Sequence, residues 1–278
     1  MNASDTHPVG VGFLLKSIYG HRELLRQLTW QEIVGRYRGS VIGLSWSFLA
    51  PLLMLAVYTF VFSVVFGARW NLPQSQPQDN AQFAVILFAG LAVFNIFADC
   101  VNRAPGMIVA NTNYVKRVVF PLELLPIIAL GNALFHFSAS MLVWLVVTVV
   151  MLGGIPWTAV LLPIVLFPLA LATLGVTWFL ASLGVYLRDV SQITSIVVTG
   201  LLFLSPIFFP AEAVPPQYRA VVLLNPLGYI VESARRVLIF GELPHGPGLL
   251  IAMAAGSAIA WVGFWWFQKT RKGFADVL

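Results

Sequence analysis

Aromatic side chains are the residues of this chain best suited to meeting a ligand. Trp46, Phe48, Tyr58, Phe60, Phe62 and Phe66 crowd one apolar stretch, and Phe203, Phe208 and Phe209 mark another. The electron-rich face of an aromatic ring meets the C–H face of a sugar ring well and is indifferent to the order of the sugars. The competing reading is that these rings face lipid or pack among themselves. Catalytic motifs are missing: the sequence has no G-x-x-x-x-G-K-[ST] phosphate loop, no H-E-x-x-H, no C-x-x-C and no G-x-S-x-G. His7, His21, His136 and His245 are scattered, and Cys100 is the only cysteine, so no intrachain disulfide can form. His136 reads as a hydrogen-bonding group between helices rather than a metal ligand. Asp99 and Glu123 sit near the ends of apolar runs whose middles are almost free of charge. That argues against a proton-driven carrier and against an embedded acid–base enzyme, both of which need ionisable groups at depth.

The elements that position these rings follow from where the charges are not. No Lys, Arg, Asp or Glu occurs between Arg38 and Arg69, Asp79 and Asp99, Glu123 and Arg188, Asp189 and Glu212, or Glu242 and Lys269. The chain has 278 residues, 59% apolar and 10% charged, against about 25% charged in soluble domains. A bilayer core takes about 20 apolar residues per helical crossing. The runs predict an all-α, polytopic membrane protein with six transmembrane helices at about 41–67, 81–101, 124–152, 158–187, 192–209 and 247–267. Pro51 falls inside the first, where it should kink the helix, and Gly153-Gly154-Ile155-Pro156 divides the third from the fourth. The polar first 40 residues give no sign of a cleavable signal peptide.

Six crossings put both termini on one side. With the N-terminus inside, twelve of the sixteen Lys and Arg fall in inner segments, which supports cytoplasmic termini. The net charge of +5 then records topology rather than nucleic-acid binding. Trp70, Trp157, Trp265 and Trp266 fall near predicted span ends, where interfacial aromatics are expected.

Three non-membrane pieces carry further information. Thr29-Trp30-Gln31-Glu32 fits a capping box, with Thr29 as N-cap and Glu32 three residues on. Trp30, Ile33, Val34 and Tyr37 then share one helical face, with Arg36 and Arg38 off it. Leu24, Leu25 and Leu28 lie on a different face, so two short helices are predicted. The second would be an amphipathic helix on the inner membrane surface, or simply an anchor. The segment 102–121 is longer than a connection needs. Asn111-Thr112-Asn113 offers caps for a short basic helix from Tyr114 to Val119, either a docking knob or a plain inner loop. The outer segment 210–246 is rich in proline. Asn225-Pro226 is a good helix start, Leu227, Ile230, Val231, Ala234, Val237 and Leu238 line one face, and Gly241 supplies a stop. Glu232, Arg235 and Arg236 are expected on the other side, in ion pairs. A pair of short re-entrant helices fits, with a surface-lying amphipathic helix as the alternative.

On these residues the chain resembles the permease subunits of ABC-2 type polysaccharide exporters, the Wzm-like O-antigen, capsule and teichoic-acid permeases. LTWQEIVGRYRGSVIGLSWSFLAPLLM (28–54) resembles the family's opening, and NTNYVKRVVFPLELLP (111–126) its cytoplasmic coupling loop. LRDVSQI (187–193) is similar to its short inner turn, and LFLSPIFFP…VP…LNPLGYIVESAR (202–235) to its outer gate region. The likeness covers nearly the whole chain in order. It implies a single ABC-2 transmembrane domain working as a homodimer in the bacterial inner membrane. Two copies of a separate ATP-binding subunit would carry ATP and Mg, with no cofactor and no catalysis in this chain. Trp30, Glu32, Arg36 and Tyr37 of an interface helix about Thr29–Arg38 would couple to that ATPase, as would Asn111, Thr112, Asn113, Tyr114, Lys116 and Arg117. Pro226, Tyr229, Glu232, Arg235 and Arg236 would belong to a periplasmic gate. Trp46, Tyr58, Phe62, Phe203, Phe208 and Phe209 would line the path of a lipid-linked polysaccharide, O-antigen first, capsular polysaccharide or teichoic acid as alternatives. Two other readings remain: an ABC-2 exporter of a small lipid or drug, and a membrane-embedded glycosyl- or acyltransferase, for which no catalytic acid or base stands out.

Overall fold

The apolar runs fold as long helices because a bilayer leaves the backbone no other way to satisfy its polar groups. The computed structural model describes residues 10–65, 80–116, 120–210, 214–218 and 225–278, and every regular element among them is helical. Two N-terminal helices, α1 (Val11–Gly20) and α2 (Arg22–Gly35), meet at His21. A single 3-10 turn, Gly43–Ser45, leads into α3 (Trp46–Tyr58), which contains Pro51 and continues as wide π-turns over Thr59–Val65. Then follow α4 (Asn80–Met107), α5 (Thr112–Lys116), α6 (Leu125–Leu152), α7 (Leu162–Tyr186) and α8 (Val190–Leu204). After these come α9 (Pro226–Arg235) with a π-turn over Arg236–Phe240, α10 (Gly246–Thr270) and α11 (Phe274–Val277).

Helix α4 is the axis. Its first two thirds are almost wholly apolar, as an enclosed stretch of helix must be, and Phe83–Leu87, Ala92–Phe94 and Ile96–Phe97 are all buried. It packs against α6, α7, α8 and α9. Trp144 of α6 donates its indole N–H to the Val85 carbonyl at 3.1 Å. Helices α3 and α8 flank this core, sending Leu55 and Val198 into it. Phe48, Leu52, Leu53, Met54 and Val57 of α3 are exposed, as is Phe60 in the π-turns after it, and so are Ile193, Ile196, Val197 and Phe203 of α8.

Hydrogen bonds and ring contacts gather at two ends of the bundle. One end, here the basic end, gathers Ser17, Glu32, Arg103, Glu123, Thr270 and Arg271 through hydrogen bonds. The far end gathers Phe62 with Phe83 and Phe208, Thr158 with Val237, and Arg235 with Ile86. Among the described residues, five helical segments are long and apolar enough to cross a membrane. The sixth, α8, has 15 residues, about 22 Å at 1.5 Å per residue, short of a hydrocarbon core of about 30 Å. Where a fifth span was expected at 192–209, the helix runs over Val190–Leu204. The helix stops at Ser205, which turns extended at ψ 146°, before Pro206. Proline disfavours helical geometry in the residue before it.

At the basic end, Glu123 ties three distant segments together. Its carboxylate accepts from Ser17 Oγ of α1 at 3.2 Å and from Arg271 Nη1 at 2.6 Å, while its own carbonyl accepts from Trp178 Nε1 at 3.0 Å. Glu123 is 1% exposed. Removing one partner of a buried ion pair strands the other. Glu123→Ala is expected to cost about 3 kcal/mol and to loosen both termini. Thermal melting in detergent, with limited proteolysis of the C-terminal tail, checks this.

Candidate functional site

At the far end, Asn225 caps α9 as its sequence suggested. Its Oδ1 accepts from Leu227 N at 3.0 Å, with Pro226 in the first turn. Gly241 stops the segment in the left-handed region, φ 68°. The predicted apolar face, Leu227, Ile230, Val231, Ala234, Val237 and Leu238, is buried throughout. Asn225 Nδ2 also donates to Ser205 Oγ at 2.8 Å, which fixes the start of α9 to the end of α8. Tyr229 donates to the His245 carbonyl at 2.9 Å, and His245 in turn caps α10 through Gly248 N.

Arg235 overturns the expectation for this segment. It was placed on the polar side, but it is fully buried. Its guanidinium donates to the carbonyls of Ile86 (3.2 Å), Pro206 (2.5 Å) and Ile207 (2.7 Å), and lies 3.6 Å from Glu232. The reason lies just past the end of α8. The turn at Pro206 and Ile207 presents carbonyls outside any helix, where a buried acceptor needs a donor, and a planar fork of five N–H groups supplies several at once. Gly90 of α4 makes room: a Cβ there would lie 2.6 Å from Arg235 Nη2. The Glu232–Arg235 pair matches the expected i,i+3 spacing, and Arg236 sits partly exposed in the π-turn. Of the predicted pair of re-entrant helices, only α9 falls within the described residues; 211–213 and 219–224 lie outside them.

The aromatics expected to line a path divide into two groups. Phe62, Phe208 and Phe203 form a ladder, with stacked rings at 5.4 and 5.6 Å. Phe203 is 62% exposed, so the ladder opens to the surroundings. Phe209 adjoins it, partly exposed. Tyr58 packs on the core from one turn below. Trp46 belongs to the opposite end, sixteen residues and about 24 Å away along α3, where its indole donates to Ser40 Oγ at 3.0 Å. Within one chain these rings do not make a continuous lining. Phe66 lies outside the described residues.

At the basic end the capping box is not used. Thr29 and Glu32 lie within α2, which begins seven residues earlier at Arg22. The break falls at His21, whose ring and backbone N both engage the Ser17 carbonyl. Packing against α6 decided this. Thr29 sits over Gly131, where a Cβ would come within 2.9 Å of Thr29 Cγ2. Trp30 meets Phe135 edge-on at 6.5 Å, and Tyr37 lies 3.4 Å from His136 Nδ1. Glu32 is free to pair with Arg103 of α4. His136 thus bonds a neighbouring element, as read from the sequence.

Helix α5 begins at Thr112, while the Asn111 amide donates back to the Met107 carbonyl at 2.9 Å. Asn113 is exposed, and Lys116 is the last residue of the helix. Tyr114 stacks on Phe120 at 4.6 Å, and the Phe120 carbonyl accepts from Arg271 Nη2 at 3.1 Å. The loop is therefore moored to the C-terminal tail, a link with no signal in local sequence. Arg117 lies outside the described residues. No cluster of metal-ligating residues occurs among the described ones.

A bundle of long apolar helices with its charges gathered toward its ends defines a multi-pass membrane protein. Residues 23–239 match the family described as ABC-2 type transporter, and the chain belongs to that family. The O-antigen export system permease protein RfbA of Myxococcus xanthus is 29% identical over 265 residues, covering 95% of this chain and 98% of that protein. The polysialic acid transport protein KpsM of Escherichia coli is 28% identical over 222 residues, 79% of this chain and 82% of its own. The daunorubicin resistance permease DrrB1 of Streptomyces coeruleorubidus is 27% identical over 224 residues, 75% and 72%.

Proposed function

We propose that this chain is the membrane permease of an ATP-driven exporter of lipid-linked polysaccharide, O-antigen before capsule. The carrying observation is the end-to-end likeness to an O-antigen export permease, which accounts for 98% of that relative and 95% of this chain. The exposed apolar faces of α3 and α8, with the Phe62–Phe208–Phe203 ladder between them, suit a second copy of the chain and a path for sugar rings between the two. ATP and Mg belong to two copies of a separate subunit, docked at the basic end against α2 and α5. That end, with both termini, faces the cytoplasm across the inner membrane. ATP binding shifts α2 and the 111–117 loop, and with them α3 and α8.

The test is co-reconstitution with the ATP-binding partner in vesicles carrying lipid-linked glycan. ATP-dependent transfer of the glycan to the far side is expected, and Lys116→Ala with Arg117→Ala should lower ATP turnover and transfer together. Transfer without the partner would overturn the reading, and unchanged turnover in the double variant would overturn the coupling. A small-molecule exporter is the second reading, favoured by the likeness to the daunorubicin resistance permease. It predicts drug or lipid efflux that survives Phe203→Ala, whereas the glycan exporter stalls.

A further inference from the structure

A groove of about 810 Å³ runs along the bundle between α8 and the α7–α10 pair. Helix α8 leans on α4 and touches α7 little, whereas α7 and α10 meet at backbone contact. Phe97 and Val101 of α4 form the floor, and both are buried. Ile193 and Val197 of α8 make one lip, and Phe179 of α7 with Val262 of α10 the other. All four are exposed, so the groove opens to the surroundings of the bundle. Of eighteen lining residues only Thr194 has a polar side chain, and its hydroxyl already donates to the Val190 carbonyl at 2.7 Å. A sugar or a charged group entering here would give up water without replacement. Along α8 the lining runs from Val190 to Leu201, about 16 Å at 1.5 Å per residue. One leaflet, half of a hydrocarbon core of about 30 Å, is about 15 Å deep. The Leu187–Val190 mouth lies toward the basic end, since neighbouring Tyr186 donates to the Thr270 carbonyl at 2.8 Å.

We propose that this groove holds one acyl chain of a bilayer phospholipid, drawn from the leaflet at the basic end. The groove is as long as one leaflet is deep, opens at that leaflet's surface and offers only hydrocarbon contact. A lipid tail gains nothing by the hydrophobic effect when it moves from bilayer to protein, so packing must hold it. Dispersion adds over atom pairs, and a chain in the groove meets protein on three sides, against one on a plain helix face. The headgroup stays level with the exposed Arg188–Asp189 turn and is not itself selected. The chain thus becomes the packing partner of α8 on the flank that α7 and α10 leave open. It does not compete with a second copy: at 3.6 residues per turn, Ile196 and Phe203 fall on the side of α8 opposite Thr194 and Leu201. The site depends on the membrane reading alone, whatever the chain exports.

The experiment is photolabelling of the full chain in phosphatidylcholine vesicles, with a diazirine on one acyl chain and the marked residues located by mass spectrometry. A diazirine halfway along the chain should mark Phe97 or Val101, floor residues that fluid lipid does not reach. One at the chain end should mark Leu201, and one on the headgroup should mark none of the three. The same chain carried on phosphatidylethanolamine or phosphatidylglycerol should mark equally. Val197→Trp sets an indole in the groove and should abolish the marks, while Ile196→Trp, on the other side of α8, should leave them. Val197→Trp should also melt no lower than the parent, which separates a filled groove from a misfolded bundle. Marks spread over exposed residues such as Ile196 and missing from the floor would mean ordinary bilayer contact and overturn the proposal. A strong headgroup preference would do the same. So would displacement of the label by polyprenyl phosphate at equal concentration, which assigns the groove to a transported lipid. Disulfide crosslinking between two Val197→Cys chains would assign it to a second copy, and equally overturn it.

Discussion

Arg235→Met is expected to be among the most damaging single changes in the chain, lowering stability by about 4 kcal/mol and dislodging α9. Methionine matches the length of the arginine stem but returns none of its donors. The carbonyls of Ile86, Pro206 and Ile207 lose the donor that Arg235 gives each of them, and Glu232 loses its ion-pair partner. Each buried acceptor left unpaired costs about 1–3 kcal/mol, and water cannot easily reach this position to help. Arg235→Lys keeps the charge but not the fork, so it should recover only part of the loss. Gly90→Ala tests the same contact from the other side, since its new Cβ would press on the guanidinium at 2.6 Å. The two changes should not add. In an Arg235→Ala background, Gly90→Ala should cost little, a coupling of about 2 kcal/mol. Thermal melting and size-exclusion profiles of the four proteins read it. Additive losses would mean that Arg235 and Gly90 act separately and that Gly90 does not seat the guanidinium.

Arg235 also marks where the sequence stops being informative. Local pattern placed the starts, stops and apolar faces correctly wherever the cause was local. Asn225-Pro226 begins α9, Gly241 ends it, and Gly153 closes α6 in the left-handed region. The long apolar helices followed from the absence of charge, because a bilayer filters composition over about 20 residues. Arg235 has no such signature. Its partners are carbonyls of residues 28, 29 and 149 positions away, and carbonyls carry no sequence identity. A helical wheel can only assign a charged residue to the polar side. The capping box failed for a related reason. Thr29 and Glu32 have the right spacing, but Gly131 and Arg103, both on other helices, offered them better uses. Glu123 was legible as a charge at a span end and illegible as the knot joining α1 to the C-terminal tail. The aromatic ladder was legible as composition; that Trp46 stands at the opposite end of α3 from Phe62 required only counting along the helix.

One missed feature had a readable signal, and the last large effect rests on it. Gly256 and Gly263 are seven residues apart, which places them on one face of α10, and that face meets α7. A Cβ on Gly263 would collide with the Gly175 carbonyl, one on Gly175 with the Ile259 carbonyl, and one on Gly256 would come within 2.6 Å of the Pro168 carbonyl. The two backbones touch, as helices in membranes do where small residues allow it. The obstacle in each case is backbone, which cannot rotate away as a side chain can. Gly263→Ala must therefore push α10 off α7 along its length, with a loss of about 3 kcal/mol or more. Trp178 and Phe264, in edge contact at 5.3 Å across the same pair of helices, would lose their packing with it. Gly200→Ala in α8 is the control, since nothing lies within 4 Å of its Cβ position. It should be neutral or stabilising by up to about 1 kcal/mol, because alanine favours helix. Melting temperatures of the two variants in detergent decide the matter. If Gly263→Ala melts with the parent, α7 and α10 are not held at backbone contact.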